Sequence, residues 1–72
     1  MNLTTLHKKL DQHQRLALAT AMGIKPEYLA HLASGFKRNP SLVMCAAMVA
    51  HDKRLTLKEL AAEFVARAEQ RL

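Results

Sequence analysis

The sequence predicts an all-α fold, a single compact domain of five short helices within 72 residues. Three observations lead there. Apolar residues recur at three- and four-residue intervals rather than in strict alternation. Aromatics are limited to Tyr28, Phe36 and Phe64, so the core must be built from Leu, Ala, Val, Ile and Met, a mixture that suits close-packed helices. Two Gly and two Pro are too few for the turns of a small β-barrel, and a chain that is 50% hydrophobic is no disordered tail.

The helices are expected near residues 5–12, 15–22, 26–34, 40–50 and 57–71. Leu3, Leu6 and Leu10 mark the first, with Thr4 or Thr5 as its cap. The polar patch Asp11-Gln12-His13-Gln14 separates it from the apolar run Leu16, Leu18, Ala19 and Met22, which ends at Gly23, the residue best able to turn left-handed. Pro26 suits the first position of the third helix, Glu27 complements its positive end, and Ser34-Gly35 ends it. After the basic loop Lys37-Arg38-Asn39-Pro40, residues 42–50 have almost no polar face and predict a central helix wrapped by the others. Thr56-Leu57-Lys58-Glu59 is a capping-box pattern opening a fifth helix, whose face carries Leu57, Leu60, Ala61, Phe64, Val65, Ala68 and Leu72.

Charge divides the chain unevenly. The net charge is +5, and residues 1–54 carry all of that excess, whereas Lys58, Arg67 and Arg71 are balanced by Glu59, Glu63 and Glu69 in residues 55–72. A basic body with a neutral tail suits a polyanion-binding unit joined to a separate packing or pairing element. Cys45 is alone, which allows no internal disulfide and gives no sign of an oxidising compartment. The start Met1-Asn2-Leu3-Thr4-Thr5 is unlike a signal peptide and the longest apolar run is far short of a membrane span, so a cytoplasmic location is expected.

Residues 15–32 hold the informative constellation. Ala19, Gly23, Ile24, Leu29 and Leu32 have the spacing of a helix-turn-helix. Ala19 lets two helices nearly touch, Gly23 makes the tight turn, and Ile24, Leu29 and Leu32 fill the angle between the helices. The other face of the third helix is then left to enter a major groove.

The string Leu18-Ala19-Thr20-Ala21-Met22-Gly23-Ile24-Lys25-Pro26-Glu27-Tyr28-Leu29, followed by Gly35 and the basic loop ending at Pro40, resembles the helix-turn-helix of the phage Cro/CI superfamily. Within it the similarity is closest to YdaS-like, Cro-type prophage regulators, and Thr56-Leu57-Lys58-Glu59-Leu60 is similar to the start of that family's last helix. The resemblance implies a lambda-repressor-like fold and a sequence-specific transcription regulator that occupies an operator. It departs from the pattern at two places. Arg15 stands where many relatives place a phosphate-contacting Gln, and its charge can keep that role. Lys25 stands where many have a capping Ser or Thr, and Lys is a poor cap.

The expected DNA-contacting residues are Arg15, Lys25, Glu27, Tyr28, His31, Lys37 and Arg38. Glu27 either accepts from a cytosine amino group or only complements the helix dipole, and His31 donates to a guanine or a phosphate. Tyr28 packs on the core or offers its hydroxyl to a phosphate. Lys37 and Arg38 follow the recognition helix, where relatives grip the backbone, unless they form an ordinary solvated loop. Lys8 and Lys9 are weaker candidates. The four histidines lack metal-ligand spacing, Cys45 is expected in the core, and no catalytic constellation or cofactor motif stands out.

Partners follow from size. One such unit reads too few base pairs to single out an operator, so a homodimer is expected, paired through the fifth helix by Phe64 and Val65 with Ala61 and Ala68 allowing close approach. A helical protein-interaction module, of the antitoxin or adaptor kind, is the alternative, although it has no need of the basic body.

Overall fold

The computed structural model of the chain describes residues 1–35 and 40–70. Among them are five helices and no strand: α1 (Leu3–Lys9), α2 (Gln12–Met22), α3 (Pro26–Ser34), α4 (Leu42–His51) and α5 (Leu57–Gln70). The predicted all-α class therefore holds. The radius of gyration is 11.1 Å, matching the roughly 11 Å of a folded domain this long.

Caps place the helix starts, and three differ from expectation. Asn2, not Thr4 or Thr5, caps α1 by accepting from the Thr5 N–H at 2.9 Å. Thr4 is unavailable for that task because its hydroxyl faces the Ala33 carbonyl and the Glu63 carboxylate, each at 2.7 Å. The polar patch before residue 15 is not a linker but the start of α2. Asp11 accepts from the Gln14 N–H at 2.8 Å and the Gln14 side chain accepts from the Asp11 N–H at 3.0 Å, a reciprocal capping box. Ser41 caps α4, so that helix begins after Pro40 rather than at it. At α5 the Thr56 hydroxyl accepts from the Glu59 N–H at 3.2 Å as the capping box requires. The Glu59 carboxylate instead accepts from the Thr56 hydroxyl and the N-terminal ammonium of Met1.

All helices contribute to one core: Leu3, Leu6 and Leu10, then Leu18, Ala19 and Met22, then Leu29, Leu32 and Ala33, then Cys45 and Met48, with Leu55, Leu60 and Phe64 closing it. Helix α2 packs on α3 and α4, α1 on α3, and α4 on α5. Three expectations are corrected here. Leu16 belongs to the apolar run of α2 but is half exposed. Helix α4 is not wrapped: Leu42 and Val43 are 77% and 78% exposed, and only Cys45 and Met48 are buried. With neighbours on one side only, an apolar helix leaves its other side in water whatever its composition. On α5, Leu60 and Phe64 face inward, whereas Leu57 and Val65 stay 47% and 56% exposed. Phe64 therefore closes the core of the monomer, and Leu72 lies outside the described residues.

Candidate nucleic-acid interface

Helices α2 and α3 are joined by three residues. Gly23 takes φ +74°, its N–H donates to the Thr20 carbonyl at 3.1 Å, and the Ile24 N–H donates to the Ala19 carbonyl at 3.0 Å. This is the paired C-terminal cap of an α-helix ending in a left-handed residue. Ala19 is fully buried and Ile24 packs partly against the core. Pro26 fills the first position of α3, where no N–H is missed. Lys25 occupies the cap position and makes no side-chain capping bond, as expected for a lysine.

The inward side of α3 is fixed by Leu29, Leu32 and Ala33, all buried. Its outward side presents Glu27, Tyr28 and His31, all exposed, with exposed Lys25 at its start. These four side chains line one shallow cleft together with Gly23 and Ile24. A second cleft runs from the start of α2 to the start of α3, between Gln12, His13, Leu16, Pro26 and Glu27. Two helix N-termini, each with partial positive charge, therefore open on adjoining surface. The surface offers a cation at Lys25, an acceptor at Glu27 and groups of both kinds at Tyr28 and His31. Such a set can hydrogen-bond base edges and phosphates. Among the described residues no cluster of three or more His, Cys, Asp or Glu side chains comes together.

Of the sequence-predicted site residues, Lys25, Glu27, Tyr28 and His31 are brought together. Arg15 lies nearby but is engaged: its Nε and Nη2 donate to the His7 carbonyl at 3.0 and 2.7 Å, closing the C-terminal end of α1. Lys37 and Arg38 lie outside the described residues. His7 lines the same cleft as Arg15, Gln12 and Glu27. Its Nε2 is buried without a hydrogen-bond partner among the described residues. Burial, and secondly the charge of Arg15, hold its pKa below the ordinary 6.5.

A polar junction behind α3 escaped the sequence reading. Glu63 accepts from the Leu3 and Thr4 N–H groups at 2.9 and 3.0 Å, capping α1 from outside, while the Arg67 guanidinium donates to the Leu32 and Ala33 carbonyls at the end of α3. Leu60, Glu63, Phe64 and Arg67 recur at three- and four-residue spacing, so they share the inward face of α5. That periodicity was the available signal, masked by the charge of two of its members.

No protein-family model, curated protein or solved structure matches the chain. Among the described residues no helix is long and apolar enough to cross a membrane.

Proposed function

We propose that this chain is a sequence-specific double-stranded DNA-binding regulator of the Cro/repressor kind, with α2, the Gly23 turn and α3 as a helix-turn-helix and α3 as the recognition helix. The supporting observation is the division of α3 into two sides. Leu29, Leu32 and Ala33 anchor one, while Lys25, Glu27, Tyr28 and His31 stand on the other in a single cleft. A helix with its side chains is about 10–12 Å across, and the major groove of B-DNA is about 12 Å wide. The +5 net charge, all of it arising in residues 1–54, favours a polyanion as the partner. In this reading Lys25, Lys37 and Arg38 meet phosphates, Glu27 and His31 read base edges, and Tyr28 offers its hydroxyl to a phosphate. Arg15 stabilises the element that carries them or exchanges its carbonyl partner for a phosphate.

Two copies pair through the outward stripe of α5, Leu57, Ala61, Val65 and Ala68, and act in the cytoplasm on a two-fold operator. The exposed pair Leu42 and Val43 favours a second reading, a protein-interaction module of the antitoxin or adaptor kind. Salt separates the two readings. Binding of labelled duplex, followed by anisotropy between about 50 and 200 mM salt, should weaken linearly on a double-logarithmic plot. Joint Lys37→Ala and Arg38→Ala replacement should lower that slope by about two, one for each lost phosphate contact. Absence of duplex binding, or binding indifferent to salt, overturns the DNA reading.

A further inference from the structure

We infer that Arg67, oriented by Glu63, is a positioning residue for α3: it fastens the carbonyl end of that helix to α5 and so sets the angle at which the outward side is presented. This rests on α3 being the DNA-reading helix of the proposed function.

The last carbonyls of a helix have no partner within it. In α3 the Gly35 N–H turns back to the His31 and Leu32 carbonyls, with Gly35 itself left-handed at φ +82°. Arg67 adds donors to two of these last carbonyls. Its Nη1 donates to the Leu32 carbonyl, and its Nη2 reaches the Ala33 carbonyl at 3.0 Å and the Thr4 hydroxyl at 2.8 Å. The guanidinium lies close to Gly35, where an added Cβ would be 3.6 Å from Nε. It also lies 5.1 Å from the centre of the Phe64 ring. A cation at this end of a helix meets the negative pole of the helix dipole.

Glu63 holds the guanidinium in place. Its Oε2 lies 3.2 Å from Nη2 and also takes the Thr4 N–H at 3.0 Å, while Oε1 takes the Leu3 N–H at 2.9 Å. The two side chains are only 6% and 15% exposed, so neither can trade its partners for water without disturbing the core. One junction thereby ties the start of α1, the end of α3 and the middle of α5. At the opposite end of α3 the Lys25 side chain makes no capping bond. The carbonyl end is thus held by side chains from α1 and α5, and His31, immediately before Leu32, moves directly with any tilt there. A planar fork with several fixed donors does this in a way that a lysine's single ammonium only partly can.

The test compares Arg67→Met, Arg67→Lys and Thr4→Val in the full chain. Two readouts are taken at a temperature where circular dichroism shows each variant folded. Amide exchange should accelerate in Arg67→Met across residues 29–35 while α2 and α4 keep wild-type protection, with Arg67→Lys intermediate and Thr4→Val milder. Discrimination between a duplex selected from a random pool and a scrambled duplex should fall about tenfold in Arg67→Met, roughly the effect of one mismatched base pair. Affinity for the scrambled duplex should stay unchanged. Uniform acceleration of exchange in every helix, or a parallel loss of affinity for both duplexes, would show a purely global role and overturn the inference. If Arg67→Met fails to fold, the same patterns in Arg67→Lys and Thr4→Val decide it. A wild-type chain that does not discriminate between duplexes removes the DNA reading and the specificity half of the inference. Exchange at residues 29–35 still decides the clamp.

Discussion

The imidazole of His7 lies at the junction of α1 with α2 and α3, with Nε2 buried and unpartnered among the described residues and the Arg15 guanidinium bonded to its own carbonyl. Its pKa is lowered in the folded chain, first by burial and then by Arg15. The unfolded chain therefore takes up a proton near pH 6.5 that the folded chain resists. Stability linked to this group is complete above that pH and declines as pH falls through the lower folded value. Urea unfolding from pH 7.5 downward should show the midpoint falling below about 6.5, and His7→Gln should flatten that part of the profile. Asp52 does not interfere, because the hydrogen bond from Arg54 holds its carboxyl below the usual 3.8 and its contribution is lost only in stronger acid. A His7→Gln profile parallel to wild type would contradict the assignment. Single residues were also where the sequence was least legible. Arg15 is a basic residue in a basic segment, and nothing in its neighbours distinguishes a guanidinium awaiting phosphate from one closing a helix end. Glu63 and Arg67 likewise read as surface charge until α5 is docked.

At the scale of the element, the sequence was most legible where backbone chemistry is local. Gly23, Pro26 and Gly35 mark α3 and its turn to the residue, because a left-handed cap and a first-turn proline depend on neighbours in the chain alone. Gly23 gives a sharp test. A Cβ added there meets nothing within 4 Å, so Gly23→Ala should lose only the conformational term, about 1–2 kcal/mol by urea unfolding. Gly23→Asn should recover part of it, since Asn tolerates the left-handed region better. Equal stability of Gly23→Ala and wild type would mean that the turn does not need its positive φ. Helix α4 shows the opposite case. Its run of apolar residues fixed its existence but not its orientation, because a helix without a polar face carries no sign of which side is buried. Packing on α2 and α5 chose Cys45 and Met48 and left Leu42 and Val43 outside.

The whole molecule combines a basic body with a helix, α5, whose two sides differ. Inward, Leu60 and Phe64 close the core beside the Glu63–Arg67 pair; outward, Leu57 and Val65 remain exposed with Ala61 and Ala68 beside them. A pairing contact on the outward stripe would thus be joined to the end of α3 through one rigid element, fixing the spacing of two recognition helices. Sedimentation at micromolar concentration should show a dimer, and Val65→Glu should give a folded monomer. A wild-type chain that stays monomeric even on its preferred duplex removes the dimer. The decisive measurement for DNA reading itself is selection of bound sequences from a random duplex pool, run in parallel with wild type and His31→Ala. The expected result is a strongly enriched, two-fold symmetric sequence for wild type, with His31→Ala changing preference at one position in each half. A pool that emerges unenriched, or one in which His31→Ala selects the identical sequence with every position unchanged, would contradict recognition through the outward side of α3.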